Sequence, residues 1–79
     1  MNATDRESFG DRLRRLRLAK GWRQSDLAAH AGVGRATVAH WEAETRWPRA
    51  DYLERVADTL GCDMGWLFTG RGWGGRERA

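Results

Sequence analysis

Phe9, Leu13 and Leu16 stand four and three residues apart, the spacing of one helical face, and predict a first helix over about 7–20. Thr4 and Glu7 have the offset of a capping box at its start, and Gly21 is a natural stop. A second helix is predicted over about 24–31, with Leu27, Ala28 and Ala31 facing inward. Gly32-Val33-Gly34 makes the next corner. A third helix over about 35–43 buries Val38 and part of Trp41. Beyond a loop through Trp47-Pro48, a fourth spans about 51–60 with Leu53, Val56, Ala57 and Leu60 on its apolar face, and Gly61 ends it. A short fifth covers about 63–68, with Asp63 as its N-cap. No stretch alternates β-branched and polar residues as a strand would. The expected fold is all-α, a compact bundle of about five short helices.

At 79 residues the chain supports one domain with an economical core. That domain is expected over 7–70, with 1–6 as an N-terminal arm and 71–79 as a flexible tail. From Gly70 onward glycine and arginine leave too little apolar content to pack, and Trp73 is the one candidate anchor.

Composition narrows the class further. Hydrophobic residues make up 41% and charged residues 32%, the balance of a folded soluble domain rather than a disordered chain. Cys62 is the only cysteine, so neither an intramolecular disulfide nor a thiolate metal cluster is expected, and a reducing, cytoplasmic setting is the default. No apolar run approaches a membrane span, and residues 1–8 lack the apolar stretch of a leader. The net charge of +3 is unevenly spread. Residues 1–22 hold six basic groups (Arg6, Arg12, Arg14, Arg15, Arg17, Lys20) against three acids, whereas 51–79 hold four against five. A polyanion is therefore expected to dock on the first half.

The second and third predicted helices are short and joined by a tight glycine corner. Small residues such as Ala28 let the third cross the second closely, at the steep angle of a helix-turn-helix. In that arrangement the third helix turns Arg35, Ala36, Ala39, His40 and Ala43 outward, a face without acids and of a width that suits a DNA major groove.

From Phe9 to Gly70 the chain resembles the lambda-repressor/Cro type of helix-turn-helix, also called the xenobiotic-response-element family. The resemblance is carried by Leu13, Leu16 and Arg17, then Gln24-Ser25-Asp26-Leu27-Ala28, Gly32-Val33, Thr37-Val38 and Trp41-Glu42. It continues through Pro48, Leu53, Ala57, Leu60-Gly61 and Trp66-Leu67-Phe68-Thr69-Gly70, in the family's order and spacing. It implies a sequence-specific regulator of transcription, a repressor of phage or prophage type, acting on double-stranded DNA as a homodimer on an inverted repeat. Base contacts would fall to Arg35, Ala36, Thr37 and His40, with Arg35 best suited because arginine can bond guanine O6 and N7 together. Phosphate contacts would fall to Gln24 and Gly34, and Arg17, Arg23, Arg46 and Arg49 are further candidates for them on charge and position. Arg17 and Glu42 match a pair that forms a salt bridge between the first and third helices. Met64, Trp66 and Phe68 are the expected dimer surface.

Several positions depart from the family pattern. Arg23, Gly34 and Arg49 stand where serine or threonine usually caps the second, third and fourth helices. Arginine at a helix N-terminus opposes the dipole by roughly 0.3–1 kcal/mol, which suggests that DNA phosphates occupy those ends. Glu44 replaces the usual glycine after the third helix, so a left-handed helix end is not assured there and the loop over 44–47 is open to another course.

Other functions fare less well. His30, His40 and Cys62 are the conventional catalytic side chains beyond carboxylates and hydroxyls, and no spacing pairs them. An enzyme is not expected, nor a metal, cofactor, membrane or small-molecule ligand. The serious alternative is an antitoxin-type interaction module, which neutralises a toxin and regulates its own operon. It would use Trp47, Trp66, Phe68 or Trp73 as an exposed patch, with Trp22, Trp41 and Trp66 otherwise expected largely in the core.

Overall fold

The computed structural model describes residues 7–72. Among them five helices follow in order, α1 (Phe9–Ala19), α2 (Gln24–Ala31), α3 (Arg35–Ala43), α4 (Ala50–Leu60) and α5 (Met64–Thr69), with no strand. The expected arm over 1–6 and most of the expected tail lie outside the described residues.

Every helix sends an apolar side chain to one shared core. Leu13 of α1, Leu27 of α2, Val38 of α3, Val56 and Ala57 of α4 and Leu67 of α5 are all buried there. Fully burying a leucine or valine contributes roughly 1.5–3 kcal/mol, so this cluster is the main source of cohesion. Ala28 and Ala31 are buried on α2, and their small side chains let α3 pack closely across it. Trp41 is buried, while Trp22 and Trp66 are half-buried and lie against the core. Trp47 stays exposed.

The helix ends show how local chemistry sets the boundaries. α1 begins later than the spacing suggested, because Ser8 in extended backbone caps it and its hydroxyl accepts from the Asp11 N–H at 3.3 Å. Thr4, expected to form a capping box with Glu7, lies outside the described residues. The Glu7 carboxylate is held by the Arg15 guanidinium at 2.6 and 3.0 Å. α4 starts one residue early, at Ala50, behind Arg49 in the N-cap position. Asp63 caps α5 by accepting from the Trp66 N–H at 2.9 Å.

The end of α3 corrects a sequence reading. Glu44 does adopt the left-handed conformation, at φ 61° and ψ 31°, and is the one non-glycine with positive φ among the described residues. That backbone is disfavoured for a residue with a Cβ. It is held by the Glu44 N–H, which donates to the carbonyls of His40 and Trp41, and by the carboxylate, whose Oε2 accepts from the Gly10 N–H at 2.7 Å. Gly10 is required at this crossing, because a Cβ there would collide with the Glu42 carbonyl oxygen.

α5 is tied down by a buried cation. Arg12 is 2% exposed and donates to the carbonyls of Leu67 (2.9 Å), Phe68 (3.0 Å) and Glu7 (2.7 Å). The first two belong to the last turn of α5, where carbonyls have no partner within the helix. Burial pushes the guanidinium below its ordinary pKa, with nearby Glu7 pulling the other way. Gly70 closes α5 at φ 76°, and a Cβ on it would stand 2.7 Å from Arg12 Nη1.

Candidate nucleic-acid interface

At the start of α2, Arg23 occupies the N-cap with extended backbone, and its N–H donates to Asp26 Oδ2 at 2.8 Å. Asp26 therefore caps the helix from inside. The Arg23 side chain is 88% exposed and lies 3.9 Å from the Asp26 carboxylate, at the positive end of the α2 dipole.

α3 follows after a turn through Gly32, at φ 74°, which allows the sharp corner. Gly34 caps α3 in extended backbone, and no acid lies in the first turn. Arg35, Ala36 and His40 are exposed, and Thr37 is half-buried. The Thr45 hydroxyl donates to the His40 carbonyl at 3.3 Å, so the 2.8 Å contact between His40 Nδ1 and Thr45 Oγ1 is donated by the ring.

A chain of polar side chains joins the starts of α2 and α3 to α1. Arg35 Nη1 donates to Gln24 Oε1 at 3.3 Å. Gln24 Nε2 donates to Glu42 Oε1 at 3.2 Å. Arg17 grips the same carboxylate through Nε (2.6 Å) and Nη2 (3.1 Å), and its Nη1 donates to the Trp22 carbonyl at 2.7 Å. The Arg17 and Glu42 side chains are 9% and 7% exposed. This bidentate pair ties the C-terminal half of α3 to α1, and geometry of that kind is the strong form of a charged hydrogen bond. An open cavity of about 310 Å³ beside it is lined by Asp11, Arg14, Arg17, Gln24, Ala39, Glu42 and Ala43.

Other sequence-selected residues stand apart from this network. Arg46 is exposed. Arg49 bonds Asp51 at 3.0 Å, with its guanidinium 5.2 Å from the Tyr52 ring centroid. Met64 and Phe68 are exposed and Trp66 is half-buried. His30 stacks on Trp22 with centroids 4.3 Å apart and planes 9° from parallel. Cys62 is buried, and no three His, Cys, Asp or Glu side chains among the described residues are grouped to hold a metal. Nor is any described helix long and apolar enough to cross a membrane.

The basic surplus of the first half is partly internal. Arg12 and Arg17 are buried, and the Glu7 hydrogen bond holds Arg15 above its ordinary pKa. Arg14 and Lys20 remain exposed, and Arg6 lies outside the described residues. Sequence reasoning gave no role to Arg12 or Gly10, and none of an internal kind to Glu44. Arg12 had a signal, since it falls on the same face as Phe9, Leu13 and Leu16.

The family model described as helix-turn-helix matches residues 13–67 of this chain. The chain belongs to the helix-turn-helix family. Uncharacterized HTH-type transcriptional regulators of Mycobacterium bovis and Mycobacterium tuberculosis are 35% identical to it over 60 residues. The match covers 76% of this chain but only 23% of theirs, so the chain spans about a quarter of the length of these relatives. The P22 c2 repressor protein, in complex with a synthetic operator, superposes with a TM-score of 0.79 at 26% identity, covering 82% of this chain and 98% of that one. The restriction-modification controller protein C.AhdI from Aeromonas hydrophila does so at 0.70 and 37%, covering 76% and 87%. The helix-turn-helix fold here is thus of the lambda-repressor type. By name these relatives are transcriptional regulators, a repressor and a controller protein.

Proposed function

We propose that this chain is a sequence-specific regulator of transcription, of repressor type, that lays α3 in the major groove of double-stranded DNA. The observation that carries the reading is the contact of exposed Arg35, at the start of α3, with Gln24, at the start of α2. It sets a group suited to reading a base beside one suited to a phosphate, at adjacent helix N-termini. Three acids of this region are occupied internally, Asp26 by the α2 N-terminus, Glu42 by Arg17 and Glu44 by Gly10.

In this reading Arg35, Ala36, Thr37 and His40 meet base edges. Arg23, Gln24, Gly34, Arg46 and Arg49 meet phosphates, which fix register without reading sequence. Arg17 contributes mainly by bracing α3 through Glu42. One such module reads only a few base pairs, so two copies related by a two-fold axis act on an inverted repeat, with Met64, Trp66 and Phe68 at the contact. The operator-bound P22 c2 repressor and the mycobacterial regulators support this assignment by their likeness.

Selection from randomised duplexes at physiological salt tests it, with wild type and Arg35→Ala in parallel. An enriched inverted repeat, with preference lost at one symmetric base position in the variant, is the expected result. Failure to enrich any sequence would sink the reading and turn attention to a protein partner on the aromatic surface around Phe68.

A further inference from the structure

We infer that Glu42 is a positioning residue for base preference, acting on Arg35 through the side-chain amide of Gln24. The inference rests on the reading of α3 as the recognition helix and deepens it.

The argument is one of donors and acceptors. Arginine can only donate and an ionised carboxylate can only accept. Gln24 lies between the two, 3.3 Å from Arg35 Nη1 and 3.2 Å from Glu42 Oε1. Only one amide orientation satisfies both neighbours, with the NH2 toward Glu42 and the oxygen toward Arg35. The flipped amide would set donor against donor on one side and acceptor against acceptor on the other. The orientation of Gln24 is therefore set by Arg35 and Glu42 together, and of the two Glu42 is the fixed point, a side chain only 7% exposed. Glu42 is in turn immobilised by the two hydrogen bonds from Arg17.

The consequence falls on Arg35. One Nη1 hydrogen is held by Gln24, which stops the exposed guanidinium from sweeping freely. The Nε–Nη2 edge is left with two parallel donors, the pair that guanine O6 and N7 accept together. A guanidinium presented in one orientation loses less entropy on binding and tolerates a wrong base less well. Base preference at the Arg35 contact thus depends on a residue that need not touch DNA.

The alternative is that Gln24 serves only as a phosphate contact, with Glu42 only bracing α3. The duplex selection separates the two when run on wild type, Arg35→Ala, Gln24→Met and Glu42→Gln. Each variant is assayed well below its own unfolding midpoint, and Arg35→Ala identifies the base position that Arg35 reads. Gln24→Met keeps the length of this half-buried side chain but neither polar end. Glu42→Gln removes the carboxylate that anchors the amide of Gln24 and leaves exposed Arg35 as its one charged neighbour.

The expected result is that Gln24→Met and Glu42→Gln each lower discrimination at that one base by about five- to tenfold, within the span of a good bidentate arginine contact. Preference at the other positions stays at the wild-type level. Weaker binding spread evenly over all sequences, with the Arg35 base still selected as in wild type, overturns the inference and leaves the recognition reading standing. Wild type enriching no sequence overturns both. If Glu42→Gln does not fold, the Gln24→Met profile decides alone, since the amide is the step through which Glu42 acts.

Discussion

Glu44 at the end of α3 accepts a hydrogen bond from the Gly10 N–H in the first turn of α1, at 2.7 Å and across 34 residues of sequence. The carboxylate satisfies one of the donors that a helix start leaves without a partner, and its charge suits the positive end of α1. The close approach depends on Gly10 having no side chain, since a Cβ would meet the backbone of Glu42. α3 and α1 are therefore locked at two places, here and at Arg17–Glu42.

Replacing Gly10 by alanine gives an outcome opposite to the usual one. Glycine-to-alanine changes within helices ordinarily stabilise by roughly 0.5–1 kcal/mol. Here the added methyl must push α3 away from α1, and a loss of about 1–3 kcal/mol is expected from such overpacking. Urea unfolding of Gly10→Ala measures it, and a gain in stability would show that the crossing yields without cost.

Arg12→Met removes three charge-assisted hydrogen bonds, two of them to the last turn of α5. Hydrogen bonds to charged groups are worth about 1.5–3 kcal/mol, and the stem is replaced by a side chain of similar length. A net loss on the order of 2–3 kcal/mol is expected, a large share of what a domain this small possesses. DNA affinity of the folded protein should hold. An Arg12→Met protein with unchanged stability and weakened DNA binding would mean that Arg12 is a phosphate contact instead.

The Arg17–Glu42 pair is best tested as a double-mutant cycle. Both side chains are nearly buried, so removing one partner strands the other charge. Arg17→Met and Glu42→Gln should each cost more than half of what the double variant costs, with a coupling of about 1–3 kcal/mol. Additive losses would show that the two charges are held separately, for instance through the Trp22 carbonyl.

Arg23→Ser tests the arginine that stands in a capping position. The Arg23 side chain makes no cap, and a serine hydroxyl there could accept from the free end of α2. Stability should rise by about 0.5–1 kcal/mol. DNA affinity should fall evenly across sequences, with the salt slope reduced by about one. A protein that folds less well yet binds DNA as before would exclude a phosphate role.

The helical order was legible because it rests on local rules. The bounds of α2 and α3 follow from apolar spacing and flanking glycines, and Asp63 was recognisable as a cap from its place before a short apolar run. The start of α1 was less so, since Thr4 and Ser8 both have capping chemistry, and it is Ser8 whose hydroxyl accepts from the Asp11 N–H. For Glu44, a rule about side chains at positive φ argued against the conformation found. A hydrogen bond to a residue far away in sequence outweighs it.

The same division holds for the site. Sequence by itself determined the all-α fold, the helix-turn-helix, the family and the exposed face of α3, because periodicity and turn chemistry act over a few residues. Tertiary structure alone decided which arginines face inward, that Arg12 closes α5 and that Gln24 links Glu42 to Arg35. The cations of α1 look alike in a sequence. Which of them is buried depends on where other helices cross, and the contacts that settle it span 25 to 55 residues.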